Sequence, residues 1–210
     1  MAAPPTDSKG EAAEAPLLYS GTHIVLRRLA PEDAPLLFDW LSAADGARYR
    51  DGLLAVCPRP DLLASRIAMQ LAISPPLEYE ALILHAPSHT PIGIVGLSSL
   101  DFLNGKAEFS LLLTRGRGTR CVLEAVAAVL ERAFGELGLY KLIFLVRPDN
   151  RPVLRLLARF EVPEEGRLRE ELAVSDGTRL DLCRFSLLRR EWRAHPLRSR
   201  LLALFPQAKV

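Results

Sequence analysis

The feature that most constrains the fold of this chain is a junction between an apolar run and an amphipathic segment. Phe109–Leu113 has the composition of a buried strand, and residues 122–137 repeat apolar side chains at the three- and four-residue steps of an α-helix. Between them lies Arg115-Gly116-Arg117-Gly118-Thr119-Arg120. The first turn of a helix has free backbone N–H groups, and glycine allows close approach of the backbone, so this junction favours phosphate. The alternative interpretation is a solvated loop.

The glycine-containing loop lacks the features of two common nucleotide sites. It does not end in the Lys-Ser/Thr pair of a P-loop. Its glycines also lack the spacing of the dinucleotide-binding fingerprint. The sequence therefore argues against an ATPase and against a dehydrogenase.

Charge and cysteine content argue against several other classes. The chain of 210 residues has a formal net charge of +2, which gives no bulk attraction for nucleic acid or an anionic membrane. Its three cysteines are far apart and its four histidines are scattered, so neither disulfides nor a metal site is predicted. This pattern favours a reducing compartment, and no apolar run approaches the roughly 18–20 residues of a membrane span. We therefore predict a cytoplasmic protein with no metal and no membrane association.

Hydrophobic periodicity predicts a mixed α/β (α+β) domain. Helices are predicted from residue 31, over 61–73, from the glycine-rich loop to about 138, and over 152–159. Strands are predicted near residues 22–29, 79–85, 91–100, 107–113, 139–146, 168–174 and 180–187. Short links between the strands from 79 to 113 favour an antiparallel meander. The expected sheet is mixed, has about seven strands and carries helices on both faces.

The two ends of the chain differ in composition from the middle. Residues 1–16 are rich in Ala, Pro, Glu and Ser and are predicted to be a disordered tail. Residues 17–192 are predicted to form one domain, followed by a basic C-terminal tail of residues 193–210. Arg189–Arg200 is expected to be a helix with a solvated face, and an arm that binds a partner is the alternative.

Several segments occur in an order that is typical of one family. They are Leu26–Asp33, Pro91–Leu97, Ala107–Phe109, Arg115–Gly118, Ala133–Leu139, Asn150 and Glu165–Gly166. In this order the chain resembles the GNAT acetyltransferase superfamily, and within it the branch that includes ribosomal-protein N-terminal alanine acetyltransferases. The resemblance extends from about Thr22 to Trp192.

The resemblance implies a GNAT fold, with a sheet splayed at its centre, and acetyl-CoA or another acyl-CoA as co-substrate. The splayed strand would hold the pantetheine arm and the thioester through the backbone of Leu111, Leu112 and Leu113. Asn150 would hold the arm from the other side, where it also suits a helix N-cap. The pyrophosphate would be bound by the loop, namely Arg115, Gly116, Arg117, Gly118, Thr119 and Arg120. Family members often pair, so a homodimer is also implied.

The reaction implied by the resemblance is N-acetylation of a primary amine by direct attack in a ternary complex. A carboxylate near the thioester can take the proton of the amine, and Glu108 is the candidate; the alternative is an outward-facing strand residue. The acceptor is expected to be a small molecule or a protein N-terminus. Arg48, Tyr49 and Arg50 lie in the expected acceptor region and would suit an acidic, phosphorylated or nucleotide-linked acceptor.

Two other functions remain open from the sequence. Arg120, Val153 and Arg159 depart from the family pattern, and no tyrosine follows in residues 154–160. These departures suit a member that binds CoA or a partner without turnover. A nucleic-acid-binding module using the arginine-rich loop and tail is the third hypothesis, and the low net charge argues against it.

Overall fold

Eight strands form one sheet in the part of the chain that the structure, a computed structural model, describes: residues 15–43, 53, 56–114, 119–174 and 177–208. The strands are β1 (Leu17–Ser20), β2 (Ile24–Arg28), β3 (Tyr79–His85), β4 (Pro91–Asp101), β5 (Lys106–Leu113), β6 (Lys141–Val146), β7 (Glu164–Ala173) and β8 (Arg179–Leu188). Their order in the sheet is β1-β2-β3-β4-β5-β6-β8-β7. Neighbouring strands are antiparallel except β5 and β6, which are parallel. The mixed, mostly antiparallel sheet is therefore confirmed, with β1 as an additional short strand.

The helices flank this sheet on both faces, as predicted. They are α1 (Ala34–Ser42), α2 (Pro60–Ala72), α3 (Thr119–Glu131), α4 (Arg151–Arg159), α5 (Arg189–Ala194) and α6 (Pro196–Leu204). A 3-10 turn, Pro31–Asp33, precedes α1, and a π-helical turn, Arg132–Glu136, continues α3. Proline stands in the first turn of α1, α2, α4 and α6, where its missing N–H costs no hydrogen bond.

The two faces of the sheet belong to different hydrophobic clusters. Leu82, Ile94 and Leu112 pack with residues of α1 and α2. Their strand neighbours Ala81 and Val95 pack with residues of α3 and of the C-terminal segment. Because successive strand residues point to opposite sides, this alternation defines an α1–α2 face and an α3 face.

Two glycines allow β4 to lie close to both of its neighbours. A Cβ at Gly93 would lie 2.1 Å from the carbonyl oxygen of Leu112 on β5. A Cβ at Gly96 would lie 2.6 Å from the carbonyl oxygen of Tyr79 on β3. Both distances are shorter than a carbon–oxygen contact permits, so the Pro91–Leu97 segment needs glycine at these two positions.

A buried carboxylate attaches the turn between β1 and β2 to α3. Glu124 is fully buried, and its side chain accepts hydrogen bonds from the Tyr19 hydroxyl (2.9 Å) and from the backbone N–H groups of Thr22 (2.9 Å) and His23 (2.8 Å). Burial, together with this carboxylate, raises the pKa of Tyr19 above its usual range. Gly21 leaves the necessary room, because a Cβ there would lie 2.2 Å from Glu124 Oε1.

The C-terminal segment packs on α3 through a second buried carboxylate. Glu131, which is 7% exposed, accepts hydrogen bonds from Trp192 Nε1 (2.7 Å) and from Arg198 Nε and Nη2 (both 2.7 Å). Leu201 and Phe205 are buried in the α3-face cluster. The prediction of a helical segment with a solvated face is confirmed, because Arg190, Arg193 and Arg200 are exposed. The sequence did not predict that the opposite, apolar side of the segment packs on α3. The division at residues 16 and 192 stays a prediction.

Replacing Glu131 by alanine should lower the free energy of unfolding by about 2–3 kcal/mol, because Trp192 and Arg198 lose a buried acceptor. The matched control is Glu136→Ala, in which a 43% exposed side chain loses its ion pair with Arg132 one helical turn away. This change should cost about 0.5 kcal/mol or less. Urea unfolding measures both values, and equal losses would contradict the assigned role of Glu131.

A carboxylate network joins β6, β7 and β8. The Glu165 carboxylate accepts hydrogen bonds from Lys141 Nζ, from Ser186 Oγ (2.8 Å) and from Arg184 Nε (3.1 Å). These donors, Lys141 first and then Ser186, lower the pKa of Glu165 from 4.5 to about 2. The network stabilises the ionised carboxylate and therefore the folded state.

The pKa of Glu165 is lower in the folded chain than in the unfolded chain. The contribution of its ionised carboxylate to the free energy of unfolding is therefore complete above about pH 5 and declines as the pH falls towards 2. Wild type should therefore lose more stability between pH 5 and pH 3 than Glu165→Gln. Urea midpoints at about pH 5 and about pH 3 measure this difference. Glu171→Gln, at an exposed position of the same strand, is the control and should follow wild type. Identical pH profiles for wild type and Glu165→Gln would refute the prediction.

Candidate active site

The central strands β5 and β6 separate after a short parallel contact. Their paired residues are Lys106 with Lys141, Ala107 with Leu142, and Glu108 with Ile143. Both strands continue beyond this point, β5 to Leu113 and β6 to Val146, without further pairing between them. The splay that the resemblance implied is therefore present, and Glu108 is the last paired residue of β5.

Backbone groups of β5 face the gap that this separation opens. The N–H of Thr114 donates to the carbonyl of Ile92 (2.9 Å), and the carbonyl oxygen of Leu112 lies against Gly93, so both point towards β4. Successive residues of a strand direct their N–H and C=O groups to opposite edges. Leu111 and Leu113 therefore present their backbone groups to the gap. Leu112 presents its backbone to β4 and its side chain to the α1–α2 cluster.

A cavity of about 600 Å³ occupies this gap and has walls on both faces of the sheet. On the α3 face the lining is apolar and includes Val126 and Leu130 of α3 and Leu157 of α4. On the α1–α2 face it includes Glu108 and the polar pair Arg66 and Glu78. The cavity can hold an elongated ligand with its polar end near Glu108.

Glu108 lies where the two strands part. Its neighbour Ala107 is buried in the α3-face cluster, so the Glu108 side chain projects from the α1–α2 face, opposite Ser98 of β4. The residue is half-buried and lines the cavity. Its carboxylate makes no hydrogen bond or ion pair with another residue within the described ranges. A carboxylate in this position can accept a proton from a group bound in the gap.

Asn150 reaches the same cavity from the start of α4. It is the N-cap of that helix, and its Oδ1 accepts a hydrogen bond from the backbone N–H of Val153 (3.4 Å). Its side chain also lines the cavity, so the structure brings Asn150 and Glu108 to one space. The amide N–H₂ of Asn150 remains a donor for a ligand while Oδ1 caps the helix.

Only the last two residues of the loop, Thr119 and Arg120, lie within the described residues. Arg115, Gly116, Arg117 and Gly118, and also the expected acceptor residues Arg48, Tyr49 and Arg50, lie outside the described residues. Thr119 begins α3, and Arg120 is exposed in its first turn. Helix α3 is therefore the element that follows β5 along the chain, as the sequence predicted.

Cys121, in the first turn of α3, is a packed residue. It is 9% exposed within the α3-face cluster. Burial raises the pKa of its thiol, and the nearby Glu124 carboxylate adds to the effect. The thiol is therefore less available as a thiolate than an ordinary cysteine.

Sequence reasoning missed several residues that line the α1–α2 side of the cavity. Arg66 of α2 donates to Glu78 (3.1 Å), which also accepts a hydrogen bond from Gln70. Ser98 and Ser99 lie beside an irregularity of β4, where Ser99 has a φ of 52°. Two serines in an otherwise apolar strand were a signal of this irregularity. Nothing in the local pattern marked Glu78, because its contacts come from a separate helix.

Among the described residues, no group of three His, Cys, Asp or Glu side chains is placed to hold a metal ion. No helix in the same part of the chain is long and apolar enough to cross a membrane.

Comparison with known proteins identifies the family. The model of the acetyltransferase (GNAT) domain matches residues 23–161, and the chain belongs to this family. It is 30% identical over 173 residues to the uncharacterized N-acetyltransferase p20 of Bacillus licheniformis. These residues cover 80% of this chain and 94% of that protein. A second relative is the "Putative ribosomal N-acetyltransferase YdaF" of Bacillus subtilis (strain 168), 32% identical over 101 residues, 48% of this chain and 55% of that protein.

A solved structure supports the same fold. The spermidine N-acetyltransferase of Vibrio cholerae, in complex with CoA and spermine, superposes with a TM-score of 0.69 at 21% sequence identity. The superposition covers 80% of this chain and 97% of that chain. The GNAT fold predicted from the sequence is confirmed.

Replacing Asn150 by alanine should lower the free energy of unfolding by about 0.5–1 kcal/mol, because α4 loses its side-chain cap. Asn150→Ser should retain most of this stability, because a serine hydroxyl also caps a helix. Thermal unfolding of the ligand-free protein measures both. An alanine variant as stable as wild type would show that the cap at Asn150 contributes nothing, and a serine variant as unstable as the alanine variant would show that the loss has another cause.

Proposed function

We propose that this chain is an N-acetyltransferase that transfers an acetyl group from acetyl-CoA to a primary amine by direct attack within a ternary complex. Membership of the GNAT family supports acyl transfer to an amine. The observation that carries the finer proposal is the gap between β5 and β6 with the Glu108 carboxylate at its closed end.

The residues of the gap suit an acyl-CoA. Backbone N–H and C=O groups of Leu111 and Leu113 face it, and the amide of Asn150 stands on its other side. These groups would hold the amide-containing pantetheine arm. The segment Arg115–Arg120, which leads into the N-terminus of α3, would bind the pyrophosphate through backbone N–H groups and the helix dipole.

Acetyl-CoA supplies a thioester, whose carbon accepts the amine nitrogen while the carbon–sulfur bond breaks. In our proposal Glu108 takes the proton that the attacking amine loses, directly or through one water. Holding the amine and the thioester together supplies much of the rate. No tyrosine occurs in residues 154–160 to act as an acid. The leaving group needs little help, because a thiol has a pKa of about 8.5.

The similar proteins support two kinds of acceptor. The Vibrio cholerae enzyme, solved with spermine, supports a small amine, and the similarity to a putative ribosomal N-acetyltransferase supports a ribosomal acceptor, such as a protein N-terminus. The homodimer and the cytoplasmic location remain predictions.

Acetyl-CoA at about a hundred times its Kd should stabilise the protein by about 2.7 kcal/mol, and free thiol should appear when an accepted amine is added. Glu108→Gln should lower kcat/KM by about a hundredfold or more while acetyl-CoA still raises the melting temperature. Glu136→Gln, a 43% exposed surface glutamate, is the control and should retain wild-type activity.

Three outcomes are distinguishable. No stabilisation by acetyl-CoA would remove the proposal. Stabilisation without thiol release from any amine of a broad panel would support the alternative, a family member that binds CoA without turnover. Full activity of Glu108→Gln would leave the acetyltransferase but remove Glu108 as its base.

A further inference from the structure

The cavity has an apolar wall on the α1–α2 side, formed by Leu145 of β6, Leu182 of β8 and Leu172 of β7 and called here the leucine wall. Leu145 lies between Phe144 and Val146, which pack on the α3 face, so its side chain projects from the opposite face. Leu182 likewise precedes Cys183 of the α3-face cluster. Leu172 pairs with Leu180, two residues before Leu182, and shares its face.

Helices α1 and α2 do not account for the burial of this wall. The strand residues in their cluster come from β3, β4 and β5, and none comes from β6, β7 or β8. Leu182 is nevertheless only 8% exposed and belongs to neither hydrophobic cluster among the described residues. The leucine wall therefore adjoins the cavity rather than a helix of the described part of the chain.

Leu145 is the leucine of the wall that lies nearest to Glu108. Ile143 pairs with Glu108, and Leu145 is two residues further along β6 on the same face, about 7 Å along the strand. Leu182 and Leu172 lie further away, because Ile143 pairs with Ser186 on β8 and Leu172 pairs with Leu180. A ligand with its amine at Glu108 can therefore reach Leu145 with a group of three or four carbon atoms.

The charges of the cavity fit a single ammonium group. Glu78 is paired with Arg66 (3.1 Å), and Arg147 is paired with Asp149 (2.9 Å). Of the carboxylates lining the described cavity, Glu108 alone has no cationic partner among the described residues. A polyamine would bring further ammonium groups against the leucine wall, where desolvation of an unpaired charge is costly.

We propose that the acceptor is a primary amine that carries an apolar group, which contacts Leu145 of the leucine wall while the nitrogen faces Glu108. This inference rests on the acetyl transfer proposed above. Apolar monoamines and peptides with an apolar first residue share this chemistry.

The test compares kcat/KM for four acceptors at saturating acetyl-CoA: the peptides Leu-Ala-Gly and Gly-Ala-Gly, isoamylamine and spermidine. The leucine peptide should exceed the glycine peptide by about tenfold or more, because a side chain of several carbons enters an apolar site. Either the leucine peptide or isoamylamine should exceed spermidine. Which of the two is preferred separates a protein N-terminus from a small molecule as the source of the amine.

Leu145→Asn should reduce the preference for the leucine peptide over the glycine peptide to below about threefold, chiefly through KM, because the part of the wall nearest to Glu108 becomes polar. Leu145→Ala is a milder variant and should reduce it in the same direction. Leu204→Asn, which changes a 64% exposed leucine of α6, is the matched control and should keep the wild-type preference. The rise in melting temperature with acetyl-CoA should be the same in all three variants.

Spermidine as the best acceptor, or an equal loss with all acceptors in Leu145→Asn, would overturn the inference. If acetyl-CoA stabilises the protein but neither the leucine peptide nor isoamylamine reacts, the inference of an apolar acceptor is overturned, whereas the proposed acetyl-CoA site is not. Absence of stabilisation by acetyl-CoA would remove the proposed function and this inference with it.

Discussion

The short parallel contact between β5 and β6 is the constraint on which the rest of the structure depends. Parallel neighbours require a crossover, and here α3 runs from the end of β5 back to the start of β6. Pairing is limited to three residues at the start of each strand. The same geometry therefore produces a gap in the sheet, a carboxylate at its closed end and a helix N-terminus following the strand at its open end.

Helix α3 is held by carboxylates that lie on it seven residues apart. Glu124 binds the turn between β1 and β2, and Glu131 binds α5 and α6. Two turns of a helix separate them, so they share one side of it. Trp192 and Arg198, the partners of Glu131, lie beyond the segment that matches the family model. The helix that leads from the loop is thus fixed by both terminal parts of the described chain.

The sequence predicted the elements whose periodicity is strong and the order that identified the family. It did not predict β1, because a strand of four residues is too short for alternation to be read. It also missed the packing of the C-terminal segment, since arginines dominate its composition and its buried contact depends on Glu131 in a distant helix. The sequence also did not predict that Leu112 turns its backbone groups towards β4 while Leu111 and Leu113 turn theirs towards the gap. This depends on the pairing register of β4 with β5, which cannot be read from the residues of one strand.

The departures from the family pattern lie mostly away from the reacting end of the gap. Arg120 is exposed on α3, and Arg159 is exposed in the last turn of α4. Val153 lines the cavity, but its backbone N–H still bonds the capping Asn150. All three lie in or beside the parts assigned to the phosphates and the pantetheine arm, whereas Glu108 lies on the other face. We therefore expect these substitutions to change affinity for acetyl-CoA before they change proton transfer, which favours turnover over binding alone.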